Sequence, residues 1–225
     1  MGEAELAGNH KDIIIHSHII TYGNAADIAL TEMMKDEIET MWNEPQGSIE
    51  WKEQILNVVF KISGSFEPDI TPLDIYQNID PRNNYFRIEE FAHGNISFVD
   101  GLGCNTGYFK LENLYKGSTT AAHEYGHTLG LRHPYDLDLR GKGVPGIMYP
   151  RGTLVDAQYQ YNPSGMAGDS SNGGTMHPKN RRVSKQDIAL LKLHKLDFEN
   201  GKAIIGGFTS IWHSDHGDTK SGDLA

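Results

Sequence analysis

Three histidines and one glutamate fall within the run His123-Glu124-Tyr125-Gly126-His127-Thr128-Leu129-Gly130-Leu131-Arg132-His133, and their spacing is that of a metal site with its own base. Side chains four apart on a helix stand on one face, one turn above the other, so His123 and His127 can offer ring nitrogens to a single ion. Gly130 lacks a Cβ and can take the left-handed conformation that ends a helix, which brings His133 round as a third ligand. Pro134 cannot continue a helix and supports a terminus before His133. Three neutral imidazoles around zinc leave one tetrahedral position open, and that opening separates a catalytic zinc from a closed structural one. A water there would have its pKa lowered to roughly 7; Glu124, beside a ligand but offset around the helix, can take its proton and later hand it to a leaving amine. The chemistry implied is hydrolysis of a peptide bond. The rival reading, accidental surface histidines or a purely structural metal, leaves Glu124 without a task.

The run resembles the HExxHxxGxxH consensus of the metzincin metallopeptidases. Gly146-Ile147-Met148-Tyr149-Pro150 is similar to the Met-turn that follows it in that family, where a methionine floors the metal-bound histidines. Taken alone, Met148 reads as an ordinary core methionine. Met148-Tyr149-Pro150 looks like the matrixin turn, whereas Pro134 after the third histidine is similar to the serralysin pattern. In serralysins and astacins a tyrosine two positions after the turn methionine can approach the zinc; here that position is Pro150, so Tyr149 and Pro150 carry over only as walls of a substrate pocket. Val183-Ser184-Lys185-Gln186-Asp187-Ile188 resembles the start of the matrixin C-terminal helix. The stretches at 148–152 and 180–183 also resemble metallopeptidase domains of bacterial Rhs-type toxins. The likeness spans residues 12–196 in element order, but only about twenty positions carry specific motif information.

The resemblance implies an α+β chain with an α/β-type upper lobe. Its expected parts are a twisted, mostly parallel sheet with an antiparallel edge strand, an active-site helix, the Met-turn and a C-terminal helix. It implies a catalytic domain over residues 1–200, with an upper lobe at about 12–132 and a lower lobe at about 133–200; residues 201–225 form a tail that is either a strand or a linker. The activity implied is that of a zinc-dependent endopeptidase with Glu124 as base and acid, His123, His127 and His133 as ligands to one catalytic Zn2+, and Met148 as the floor. Two other functions stay open: a zinc hydrolase of a non-protein amide, and a binding module that keeps the shell without the activity.

The elements that must position these residues can be read from periodicity. The β-branched stretch 12–22 is a strand closing on a turn at Gly23-Asn24, Asn24 caps a helix over 25–43, and 54–63 and 85–88 are further strands. Residues 66–84, with three prolines, read as loop. Residues 96–100 form a short strand which, by the resemblance, is the exposed edge: Ser97, Phe98 and Val99 could pair with an extended protein or peptide substrate as an added strand. Asp100 reads as a turn residue, with a Ca2+ site as the sharper alternative. Ser118 or Thr119 caps the zinc helix, and residues 151–182 make a long irregular loop whose first part, to 162, borders the pocket. His177 within that loop is a weak extra ligand. Ser184 with Asp187 caps a last helix carrying Ile188, Leu190, Leu191 and Leu193 inward. Ala203 to Trp212 reads as a strand, and the polar segment from His213 to Asp218 as a solvated end.

A chain of 225 residues with 38% hydrophobic side chains can bury a sizeable core. Its net charge of −10 argues against nucleic acid, whose binders concentrate lysine and arginine. Cys104 is the one cysteine, so no internal disulfide forms; it reads as an inert thiol, or else as a cap on the zinc. No apolar run is long enough to span a membrane. The start of the chain lacks the basic and apolar regions of a signal peptide, so the expected setting is outside the producing cell as a fragment of a longer protein, with a cytoplasmic location as the alternative.

Overall fold

Strand β2 (Asp12–Tyr22) changes character along its length, and the rest of the fold follows from that. Its first half alternates buried Ile13, Ile15 and Ser17 with half-exposed Ile14, His16 and His18, whereas residues 19–22 are all buried. Successive side chains point to opposite faces of a sheet, so the first half is covered on one face and the second half on both. A computed structural model describes residues 1–8 and 11–217, and these form a mixed α+β arrangement around an eight-stranded sheet.

β2 runs parallel to β4 (Gln54–Phe66) along one side. On its other side two strands share its length: β1 (Gly2–Leu6) pairs antiparallel with residues 13–16, and β5 (Asn83–Glu89) pairs parallel with residues 18–22. β7 (Thr106–Lys110) continues parallel beyond β5, and β6 (Phe98–Val99) closes that end antiparallel. β3 (Ser48–Trp51) closes the opposite end antiparallel to β4. The expected strand at 96–100 is thus a two-residue terminal strand. The sheet is also more mixed than the resemblance implied, because β1 and then β8 (Lys202–Ile205) extend it antiparallel beside the first half of β2.

One face of the sheet carries the main core. Helix α1 (Ile28–Asn43) lays Thr31, Met34, Ile38 and Trp42 on it at helical spacing. Helix α3 (Thr120–Thr128) packs beside α1, with Trp42 Nε1 donating to the carbonyl of Ala122 at 3.1 Å and the Trp42 ring edge-on to Tyr125 at 5.7 Å. The Tyr125 hydroxyl meets Ser17 Oγ at 2.8 Å, tying α3 to β2.

The other face is covered by α2 (Pro72–Tyr76) and by residues 206–217, around Ile20, Tyr22, Ile75 and Tyr85. Trp212 stacks on Tyr22 at 5.1 Å, His213 Nε2 lies 2.9 Å from Asp100 Oδ1, and His216 stacks on Tyr108 at 3.7 Å. The expectation of a solvated end is therefore corrected for His213 and His216, which pack on Tyr108, while Ser214 and Asp215 are exposed as expected. Asp218 lies outside the described residues. The strand expected at 203–212 is shorter, ending at Ile205, where Gly206 turns at φ +87°.

Three local readings also change. Asp27, not Asn24, caps α1: its carboxylate accepts from Leu30 N at 2.7 Å, while Asn24 follows Gly23 (φ +101°) in the turn. The supposed loop 66–84 contains α2, whose capping box joins Thr71 to Asp74 with Pro72 opening the helix. The last helix, α4 (Lys185–Leu190), has the expected Ser184–Asp187 box and buries Ile188, but Leu190 is exposed because the helix ends there after less than two turns. No helix among the described residues is long and apolar enough to cross a membrane.

Candidate metal centre

Helix α3 carries His123, Glu124 and His127, and its start is held from outside rather than by its own first residues. Thr119 stands at the cap position with φ +60° and makes no capping hydrogen bond. Ser118 Oγ accepts from Thr120 N at 3.2 Å, and Glu37 of α1 supplies the carboxylate that accepts from Ala122 N at 3.3 Å, with Thr119 and Ala121 amides also directed at it. A carboxylate at a helix N-terminus satisfies orphan N–H groups and favours the dipole. Burial nevertheless pushes the Glu37 carboxyl up, against the lowering effect of those amides. Glu37 gave no signal in the sequence, since its partner is not on its own helix.

The helix stops where expected. Leu129 is its cap, Gly130 takes φ +91°, and Leu131 N returns to the carbonyl of Gly126 at 3.0 Å. That reversal swings His133 back over the helix. His133 Nε2 lies 3.1 Å from His123 Nε2 and 3.0 Å from His127 Nε2. The other ring nitrogens are occupied by backbone: His123 Nδ1 sits 2.6 Å from the carbonyl of Ile147, and His127 Nδ1 sits 2.7 Å from that of Leu131. A carbonyl only accepts, so each Nδ1 carries the proton and each Nε2 presents a lone pair to the shared point.

This donor set fits a metal ion. Three nitrogens bound tetrahedrally at about 2.0–2.1 Å would stand roughly 3.3 Å apart, close to the two separations from His133, and all three ligand atoms lie within 4.8 Å of one another. Burial pushes all three imidazoles down, His127 to about 4, with the Arg181 charge adding to the effect, so they are neutral at neutral pH, as ligands must be. Among the described residues this is the only cluster of three or more His, Cys, Asp or Glu side chains close enough to share an ion.

Met148 lies beneath the helix, 2% exposed. A Cβ on Gly126 would stand 2.3 Å from its Sδ, so the glycine between the two helical histidines is what admits the sulfur. The segment before it contributes the Ile147 carbonyl that orients His123.

A cleft of about 360 Å³ opens beside the histidines, lined by His123, Glu124 and His133 on one side and by Ile96, Ser97, Asn113, Thr120, residues 150–152 and Arg181 around it. Glu124 is 7% exposed. Burial raises its carboxyl to about 8, offset in part by Arg181, by a hydrogen bond from the backbone of Val99 and by Arg151.

Of the residues nominated for substrate contact, Ser97 and Pro150 line the cleft. Val99 reaches Glu124 through its backbone. Phe98 turns away to stack on Tyr108 at 6.1 Å, and Tyr149 packs with Leu139, Val155 and Met176 while its carbonyl accepts from Arg181. His177 stacks on Tyr161 at 4.4 Å and stands apart from the cluster. Asp100, weighed for Ca2+, is held by Thr106 and His213 instead. Cys104 is buried beside Gly101, pairs through its backbone with Gly207 and is not one of the clustered metal-ligand side chains. The chain matches no protein-family model and no curated protein sequence.

Proposed function

We propose that this protein is a zinc-dependent endopeptidase on a metzincin-like scaffold. The observation that carries the reading is the convergence of the His123, His127 and His133 Nε2 atoms beside a buried glutamate at the wall of an open cleft. The parallel strands with an antiparallel terminal strand, the helix stopped at Gly130 and the methionine beneath Gly126 support the same scaffold.

Zinc held by the three imidazoles would acidify a water and polarise the scissile carbonyl. The chain's own residues do the rest. The Ile147 and Leu131 carbonyls keep the Nε2 lone pairs of His123 and His127 free for the ion. Glu124, in the cleft wall beside His123, accepts a proton from the attacking water as its oxygen bonds to the carbonyl carbon. It then donates that proton to the amine nitrogen as the C–N bond breaks, giving a carboxylic acid and an amine, and the remaining hydroxyl proton passes to the amine to leave a carboxylate and an ammonium. The outer edge of β6 lies beside the cleft and can take a substrate in extended form, as an added strand.

Zinc content and peptide cleavage, measured together for the wild type and Glu124→Ala, test this. One equivalent of zinc in both proteins and cleavage only by the wild type is the expected result. Equal cleavage by the alanine variant removes Glu124 from its role, and hydrolysis confined to small non-peptide amides replaces the substrate class.

A further inference from the structure

Arg181 is 3% exposed, yet it belongs to no ion pair among the described residues. Its Nε donates to Thr119 Oγ1 at 2.9 Å and its Nη1 to the Tyr149 carbonyl at 3.2 Å, both neutral acceptors. Burial lowers it only to about 10, so it remains a cation at neutral pH. Glu124 and Glu37 lie near enough to favour its charge, but neither pairs with it directly. A buried guanidinium whose hydrogen bonds all go to neutral acceptors leaves room for an anion to complete it.

The surroundings point the same way. Arg181 forms part of the cleft wall shared with His123, Glu124 and His133. Arg151 stands in the same lining, exposed, with Nη2 donating to Asn113 Oδ1 at 2.6 Å. Thr120 Oγ1, also in that lining, is buried with no hydrogen-bond partner. Two cations and an orphan hydroxyl therefore line one small volume with a single carboxylate, Glu124, in a chain whose net charge is −10, so the lining is not a sample of the chain's composition.

We propose that this cleft receives a carboxylate of the substrate next to the bond that is cut, with Arg181 as its specificity-determining partner and Arg151 at the mouth. The planar fork of an arginine matches a carboxylate in a way an ammonium does not. The inference rests on the endopeptidase reading for the position of the bond, but the charge preference of the cleft can be measured without hydrolysis. The carboxylate can come from an aspartate or glutamate side chain or from the free C-terminus of a peptide.

The test uses the full chain loaded with Zn2+ and matched peptides carrying Glu, Gln or Leu directly after the scissile bond, each with a free or an amidated C-terminus. A preference of at least about tenfold in kcat/KM for the carboxylate over its isosteric amide is expected, since one charge-assisted pair is worth about that much. Preference following Glu in amidated peptides assigns the side chain; preference following the free terminus assigns the main-chain carboxylate. Arg181→Gln should bring the Glu-to-Gln ratio towards one. Because Arg181 also ties Thr119 to Tyr149, Arg151→Gln serves as a second variant on an exposed side chain and should lower the ratio severalfold. Anisotropy of the same peptides, labelled, on zinc-loaded Glu124→Gln gives the binding preference with no turnover. Absence of cleavage by the wild type with a retained charge preference in binding overturns the endopeptidase reading and keeps this one. Equal binding of Glu and Gln peptides, stronger binding of Leu or phosphoserine peptides, or a ratio unmoved by Arg181→Gln overturns it.

Discussion

Met148 Sδ occupies the space above Gly126 that any other residue would need for its Cβ, which would stand 2.3 Å away. The two residues form a steric lock under the turn of α3 that holds His123 and His127. Gly126→Ala should therefore destabilise the fold by about 1–3 kcal/mol, despite the better helix propensity of alanine. Thermal denaturation of Gly126→Ala, Met148→Ala and the double variant checks this. The double variant should be less destabilised than the sum of the singles, because each change relieves the other; simple additivity would break the lock.

On the proposed zinc reading, removing the metal should loosen the fold, because the three imidazoles meet only in the folded chain. At a free zinc concentration a hundredfold above Kd, binding contributes about 2.7 kcal/mol, which for a chain this size corresponds to several degrees in Tm. Scanning calorimetry with EDTA and then with added zinc checks the direction. A Tm indifferent to both would mean that the histidines bind nothing.

Glu37→Ala should cost about 1–2 kcal/mol, the value of a lost helix cap, and should act on α3 although the change is made in α1. Hydrogen exchange of the Thr120, Ala121 and Ala122 amides reports it directly. Faster exchange confined to α1 would refute the assignment.

Trp212→Ala should destabilise by about 1–3 kcal/mol through the lost stack on Tyr22. Zinc affinity should stay within twofold, a change of about 0.4 kcal/mol at most, because Tyr22 and Trp212 lie on the sheet face opposite α3. Urea denaturation and zinc titration of the same variant separate the two effects.

The cluster of His123, His127 and His133 was legible because its geometry is local: two residues one turn apart, a glycine stop and a return. Strands β2, β4 and β5 were legible for the same reason, since runs of β-branched and aromatic residues declare themselves over a few positions. What escaped was non-local. Glu37 caps a helix more than eighty positions away, and nothing near it distinguishes it from the other acids of α1. Arg181 lies in an irregular loop, where no periodicity tells an inward arginine from a solvated one. His213 and His216 read as part of a solvated end because the polarity of their segment outweighs the rings that receive them, and those rings belong to β6 and β7. The helix α2 was legible in principle: Thr71-Pro72-Leu73-Asp74 spells a capped start, but the prolines around it favoured loop.

Thr119 is a β-branched residue held at φ +60°, a conformation that costs roughly 1–2 kcal/mol. Its hydroxyl donates to Pro178 O at 2.8 Å and accepts from Arg181 Nε, so the loop at 178–181 keeps it there. The junction behaves like a cocked hinge pin shared by two parts of the chain. If residues 178–181 slacken, Thr119 is free to relax, and the first turn of α3 inherits the slack one turn before His123.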